Sequence, residues 1–247
     1  MIDNKDARTS LLLGSENIEK LKKSTILVAG CGAVGGFALE ALTRAGIGHL
    51  IIIDYDIFDE TNLNRQLFAT TKTIGKLKTK SVKKRLLSIN PDLKITIKNI
   101  KISADTMAEV FSNHADYVID AIDSVNAKSL LLEELVNRKI PFISAMGAAL
   151  KTDLTKIKIA SFHKTKECPL AAFVRQRLRR RGVCLKFPVV FSEECVSDKK
   201  ALGTTKDINT GRRHMGSLVT VTGIFGLMCA HEAIKYLTQE AVSSKTN

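Results

Sequence analysis

Apolar and charged positions alternate in blocks along the chain. Residues 25–29, 50–53 and 141–145 are short apolar runs, 116–123 is a largely apolar stretch punctuated by Asp116, Asp120 and Asp123, and 94–98 alternates apolar with polar. Runs of this length predict strands, and the uncharged ones read as buried on both faces, as in a parallel sheet. Between them, residues 15–23, 34–44, 73–88 and 128–138 carry apolar side chains at helical spacing. Ser15 is a candidate N-cap, Gly46 and Gly48 stop the second of these helices, and Asn90-Pro91 ends the third. Strands that alternate with helices in this way predict a doubly wound sheet with right-handed crossovers.

The rhythm changes after Gly147. Residues 155–160 and 187–191 read as strands antiparallel to one another, and 169–181 as a helix with Pro169 at its first position. Residues 192–213 are polar without a period, which marks a functional or mobile loop. Residues 217–237 form a long helix whose apolar, glycine-containing first half is expected to pack on the sheet. The expected fold class is α/β, Rossmann-like and doubly wound, with a mainly parallel sheet extended by antiparallel strands in the C-terminal half. One domain over 1–247 is expected, with a nucleotide-binding half at about 20–147 and a substrate half at about 148–247.

The first strand runs directly into Gly30-Cys31-Gly32-Ala33-Val34-Gly35-Gly36. At this spacing Gly30 permits the turn, Gly32 lets a phosphate approach the backbone, and Gly35 lets helix and strand pack closely. The following helix N-terminus presents free N–H groups to an anion. Dinucleotide and ATP binders both use this device.

Composition narrows the setting. With 45% hydrophobic residues in 247, the chain can bury a full core. A formal net charge of +13 suits a polyanionic partner or reflects a lysine-rich proteome. The five cysteines contain no C-x-x-C pair, which argues against a zinc site, and their odd number fits a reducing compartment. The apolar stretch 218–230 is too short to span a bilayer, and the polar N-terminus lacks a secretory core. A soluble, cytoplasmic protein with no membrane association is expected.

Asp54 ends the second strand about 20 positions after the glycines, where a ribose hydroxyl is held; a loop cap is the alternative. The next segment, through Asn62, Asn64, Arg65 and Gln66, is dense in hydrogen-bonding groups and lies past a strand's C-terminal end. Arg65, Lys76, Lys78 and Lys80 exceed what one pyrophosphate needs and fit a triphosphate better, with a solvated helix face as the plain reading of two of the lysines. Asp123, at the same sheet edge, suits Mg²⁺ beside a triphosphate, or caps a helix together with Ser124. The helix at 169–181 carries Arg175, Arg177, Arg179, Arg180 and Arg181, with only Glu167 nearby in sequence. It is either a solvated face or a phosphate-contacting surface for nucleic acid.

Taken in order, the glycine loop, Ile-Asp54-Tyr-Asp56, Thr-Asn62-Leu-Asn64-Arg65-Gln66, Ile-Gly75-Lys-Leu-Lys78 and Ile-Asp120-Ala-Ile-Asp123-Ser124 resemble the adenylating domain of the ThiF/MoeB/HesA superfamily. Gly223-Ile-Phe-Gly226 and His231-Glu-Ala-Ile-Lys-Tyr-Leu match its closing helix. Within the superfamily the chain is most similar to the tRNA threonylcarbamoyladenosine dehydratases, on Arg8 to Gly14, Met146-Gly-Ala, Cys168-Pro-Leu-Ala, and the arginine-rich helix leading into 189–194. The resemblance implies ATP and Mg²⁺, with Gly32 under the phosphates, Asp54 on the ribose, and Asn62, Arg65 and Lys78 on the triphosphate. It places Asp123 at Mg²⁺ and the α-phosphate, with Ser124 beside it, and lets Arg8 reach a partner subunit's ATP in a homodimer. It implies an enzyme that adenylates the threonine carboxylate of N6-threonylcarbamoyladenosine in tRNA and cyclises it, with a sulfur-transfer protein as a candidate accessory partner. The alternatives are adenylation of the C-terminal glycine of a ubiquitin-like sulfur carrier, a nicotinamide-dependent oxidoreductase, and a non-catalytic RNA binder.

Overall fold

The computed structural model describes residues 5–196, 204–206 and 213–238. Seven strands, β1 (Thr25–Ala29), β2 (His49–Ile53), β3 (Lys94–Lys98), β4 (Tyr117–Asp120), β5 (Phe142–Ala145), β6 (Ile157–Ser161) and β7 (Pro188–Ser192), form one sheet. Their spatial order is β3-β2-β1-β4-β5-β7-β6. All neighbours pair in parallel except β6, which runs antiparallel to β7 along one edge. The antiparallel extension within this sheet is thus one strand: β7, expected to oppose β6, also continues the parallel sheet from β5. The order reverses between β1 and β4, and this is where such sheets open a ligand crevice.

Eight helices accompany the strands: α1 (Ala7–Leu13), α2 (Ser15–Lys23), α3 (Gly35–Arg44), α4 (Lys78–Ile89), α5 (Met107–Val110), α6 (Val125–Asn137), α7 (Pro169–Arg180) and α8 (Val219–Thr238). Alternate residues of each central strand feed two cores. Ile26, Val28, Leu50, Ile52 and Ile119 pack with α2, α3, α4 and α8. Leu27, Ala29, Ile51, Ile53 and Val118 pack with α5, α6 and α7. Burial on both faces is why these strands read as uncharged runs rather than as alternations.

Several boundaries differ from the sequence pattern for local reasons. Helix α4 starts at Lys78, not 73, because Gly75 adopts φ 78° and its N–H donates to the Phe58 carbonyl. Ser15 is the first residue of α2; Gly14 holds the N-cap position, without a side-chain cap. Helix α6 begins at Val125, which draws Lys128 into the helix interior. Of the polar stretch 192–213, residues 197–203 and 207–212 lie outside the described residues. Its described part includes β8 (Thr204–Lys206), which pairs antiparallel with β9 (Arg213–Met215).

Helix α8 packs against α3 and the sheet as its apolar first half implied. A Cβ at Gly226 would lie 2.3 Å from the Val34 carbonyl oxygen, so only glycine admits this approach. No helix among the described residues is long and apolar enough to cross a membrane.

Candidate active site

The glycine loop sits at the reversal point of the sheet. Gly30 has φ 96°, its N–H donates to the Ile53 carbonyl (2.8 Å), and the Ala121 N–H donates to the Ala29 carbonyl (2.9 Å). The loop is therefore clamped between the ends of β2 and β4. A Cβ on Gly35 would fall 1.8 Å from the Gly30 carbonyl oxygen, so glycine here lets α3 start directly over the turn. Gly32 differs: a Cβ there would meet nothing nearer than Gln66 Nε2 at 3.9 Å. Among the described residues, the N–H groups of Gly32, Ala33 and Val34 donate to no protein group. Three free donors at the start of a ten-residue helix fit a phosphate.

Asp54 lies beside this loop. One oxygen accepts the Cys31 N–H (2.7 Å) and the other the Asp56 N–H (2.9 Å). Burial pushes the Cys31 thiol well up; Asp54 adds to the shift and Lys78 opposes it. That thiol is no nucleophile at neutral pH. Lys78, the first residue of α4, is buried and pairs with Asp56 at 2.6 Å. Lys76 and Lys80 are exposed.

The segment after Asp56 is fixed by its own side chains. Asp59 accepts the Thr61 N–H and the Asn62 carboxamide accepts the Asp59 N–H, a capping box on the 3-10 turn Glu60–Asn62. Arg65 Nη1 donates to the Thr61 carbonyl (2.6 Å) and to Asn64 Oδ1 (2.9 Å), leaving its other nitrogens free to meet an anion. Asn64 Nδ2 donates to the Ser217 carbonyl at 3.2 Å, just before α8. The motif assigns Gln66 no role. Its Oε1 is buried with no hydrogen-bond partner among the described residues, and its amide faces Gly32.

Asp123 is exposed three residues past β4, with no protein partner among the described residues, and Ser124 is the N-cap of α6 without a side-chain bond. Beneath them lies a network the sequence pattern did not suggest. Asp120 and Lys128 are fully buried and paired at 2.6 Å. Asp120 also accepts from Ser144 Oγ (2.6 Å) and from the Ile122 N–H (3.1 Å), and Lys128 donates to the Ala145 carbonyl (3.0 Å). The network ties β4, β5 and α6 together under the turn that carries Asp123. An Asp at a strand end eight residues before a Lys was the available signal.

The five arginines on and after α7 divide by environment. Arg175 turns inward, donating to the Thr165 carbonyl (2.6 Å) and stacking over Phe162; burial lowers its pKa, and Arg179 lowers it further. Arg177 bonds Asn126 on the first turn of α6, and Arg181 pairs with Glu133. Arg179 and Arg180 are exposed, with no hydrogen bond or ion pair to protein among the described residues. Arg8 does not join the site of its own chain. Asp6, two residues earlier, pairs with Lys22 (3.3 Å) beside Gly46, at the N-terminal end of the strands. The glycine loop lies at the other end, about 16 Å of strand away.

Known proteins resemble this chain in sequence and fold. The chain is 43% identical over 188 residues to the tRNA threonylcarbamoyladenosine dehydratase of Bacillus subtilis, spanning 76% of this chain and 74% of that protein. It superposes on the crystal structure of the E. coli tRNA N6-threonylcarbamoyladenosine dehydratase in complex with ATP with a TM-score of 0.84 and 31% identity, covering 96% of each chain. The likeness to the molybdopterin-synthase adenylyltransferase of Salmonella typhimurium is 31% over 153 residues, 62% of this chain. The ThiF family profile matches residues 5–247. By that match, and by a phosphate loop at the sheet reversal that serves the family's fold, the chain belongs to the ThiF family.

Proposed function

We infer that the chain is an ATP-dependent tRNA threonylcarbamoyladenosine dehydratase. The reading rests on one observation: sequence likeness to the E. coli tRNA threonylcarbamoyladenosine dehydratase, 34% identical, runs through 94% of this chain, whereas likeness to the molybdopterin-synthase adenylyltransferase covers 62% of it. The first half, about 20–147, holds the nucleotide, and the second, about 148–247, holds tRNA.

The residues fit ATP. The free N–H groups of Gly32, Ala33 and Val34, with the Gln66 amide nitrogen facing Gly32, form a cluster of donors suited to phosphate oxygens. Asp54 takes the ribose, Asn62 braces the segment that carries Arg65, and Arg65 and Lys78 supply positive charge for the phosphates. Asp123, exposed and unpaired beside Ser124, is the carboxylate available to Mg²⁺, which would neutralise phosphate charge when bound.

The chemistry then needs no enzyme nucleophile. The threonine carboxylate of the modified adenosine attacks the α-phosphorus, and the α–β bridging oxygen leaves with pyrophosphate. Arg65 and Lys78 offset the charge of this in-line transfer. The substrate's own carbamoyl group closes on the activated carbonyl, AMP departs carrying the former carboxylate oxygen, and the product is one water lighter. An intramolecular nucleophile has a high effective concentration. In a homodimer, Arg8 of the partner subunit completes the site, since each chain's own Arg8 faces the opposite end of its sheet.

The test is exchange of labelled pyrophosphate into ATP together with AMP release, with and without tRNA carrying threonylcarbamoyladenosine. AMP release that requires the modified tRNA and is lost in Asp123→Ala is expected. If neither signal appears with tRNA, but exchange appears with a ubiquitin-like carrier, the sulfur-carrier reading replaces this one.

A further inference from the structure

Helix α7 has two unlike faces. Ala171, Val174 and Leu178 point into the core. On the opposite face Phe173 is 60% exposed, and Gln176, Arg177 and Arg180 follow it at helical spacing, all exposed. A single exposed apolar side chain needs no explanation by itself. Phe173 is distinguished by its surroundings: the one ring in a stripe whose other members are an amide and two guanidinium groups. Arg179 and Arg181 extend the charge to the next turn. Of these four arginines, Arg181 alone has an acidic partner among the described residues, Glu133.

The stripe borders the candidate active site. Cys168, the N-cap of α7, lies 3.4 Å from where a Cβ on Gly147 would be, beyond the C-terminal end of β5. Arg177 bonds Asn126, three residues after Asp123. Phe173 is one helical turn before Arg177, and so nearer the sheet edge that carries the glycine loop and Asp123.

We propose that Phe173 is a stacking platform for an unpaired nucleobase of the RNA substrate, with Arg177 and Arg180 on the flanking phosphates. This rests on the activity inferred above and adds to it the kind of RNA structure that is bound. A modified base whose side chain must enter an active site has to be held outside a continuous helix. A ring rimmed by cations receives the bases beside it, because every base has a π-face and every linkage a charge. A duplex offers the arginines its phosphates, but within the stack its bases present no free face to Phe173.

The chain has no tryptophan, so Phe173→Trp installs a single fluorescent reporter. The full-length variant is titrated with a hairpin RNA that has an unpaired loop, and with a blunt duplex of equal phosphate count. Quenching by the hairpin and not by the duplex is expected. Phe173→Leu, which keeps apolar bulk without a ring, is expected to bind the hairpin about tenfold more weakly with its melting temperature unchanged. Equal quenching by both RNAs, no quenching while hairpin binding persists, or unaltered hairpin affinity in Phe173→Leu overturns the proposal. AMP release by the unsubstituted chain with modified tRNA is scored in parallel. Its absence removes the activity, whereas turnover with an unquenched tryptophan removes the stacking platform alone.

Discussion

The Asp54 carboxylate accepts the Cys31 N–H at 2.7 Å, tying the end of β2 to the phosphate loop after β1. The same carboxylate is the one assigned to the ribose, so it shapes the loop and serves the ligand. Replacing Asp54 with Ala removes both functions, and a hydrogen bond to a charged group contributes about 1.5–3 kcal/mol. ATP affinity, read by isothermal titration calorimetry, is expected to fall at least about tenfold in Asp54→Ala. Asp54→Asn keeps one acceptor and should fall between. Equal affinity in all three proteins would remove Asp54 from the site.

Two glycines of the loop make opposite predictions. Gly35→Ala places a carbon 1.8 Å from a backbone oxygen, so the variant should lose folded protein or melt far below the parent. Gly32→Ala meets nothing in the protein closer than 3.9 Å and should melt like the parent. Its methyl group nevertheless fills the space a phosphate would occupy, so ATP should no longer raise the melting temperature. Thermal melts with and without ATP read both effects.

The buried Asp120–Lys128 pair makes a third. Lys128→Ala strands a carboxylate with no access to water and should destabilise the chain by about 3–5 kcal/mol. Urea denaturation measures this. The double variant Asp120→Leu/Lys128→Met removes the charge as well as the partner and should regain much of the loss. A double variant no better than Lys128→Ala would mean the network matters for shape rather than charge.

The arginines of α7 should separate by assay. Arg175→Ala breaks the bond to Thr165 and the contact with Phe162, and a loss of about 1–3 kcal/mol in stability is expected. Arg179→Ser with Arg180→Ser should leave stability unchanged. The plot of log affinity for tRNA against log salt should become shallower by about 1 for each phosphate contact removed. Filter binding across a salt series measures it, and an unchanged slope takes these two residues off the RNA surface.

Much of this was legible in the chain. Residues 25–29 and 50–53 are apolar on both faces because both faces are covered, and that pattern survives without coordinates. The glycine spacing marked the turn from β1 into α3, and the distance of Asp54 from those glycines put it at the end of β2, where it meets that turn. What stayed hidden depended on partners far away in sequence. The pattern starts a helix at Lys128; α6 begins instead at Val125, and this turns Lys128 onto Asp120. Arg175 looked like its four neighbours because one-dimensional charge does not show which face of a helix is inward. Gln66 could not be singled out, because its signal is the donor it lacks. Gly75 moved the start of α4 through a left-handed backbone that periodicity does not report.

The close seating of Gly226 against Val34 has a consequence for synthesis. Val34 belongs to the loop that starts α3, and Gly226 lies almost two hundred residues later on α8. A nascent chain that has emerged only through β5 carries every residue of the phosphate loop but lacks the surface that braces it from behind. On the proposed function, the loop gains its full support for a nucleotide only once translation has delivered α8.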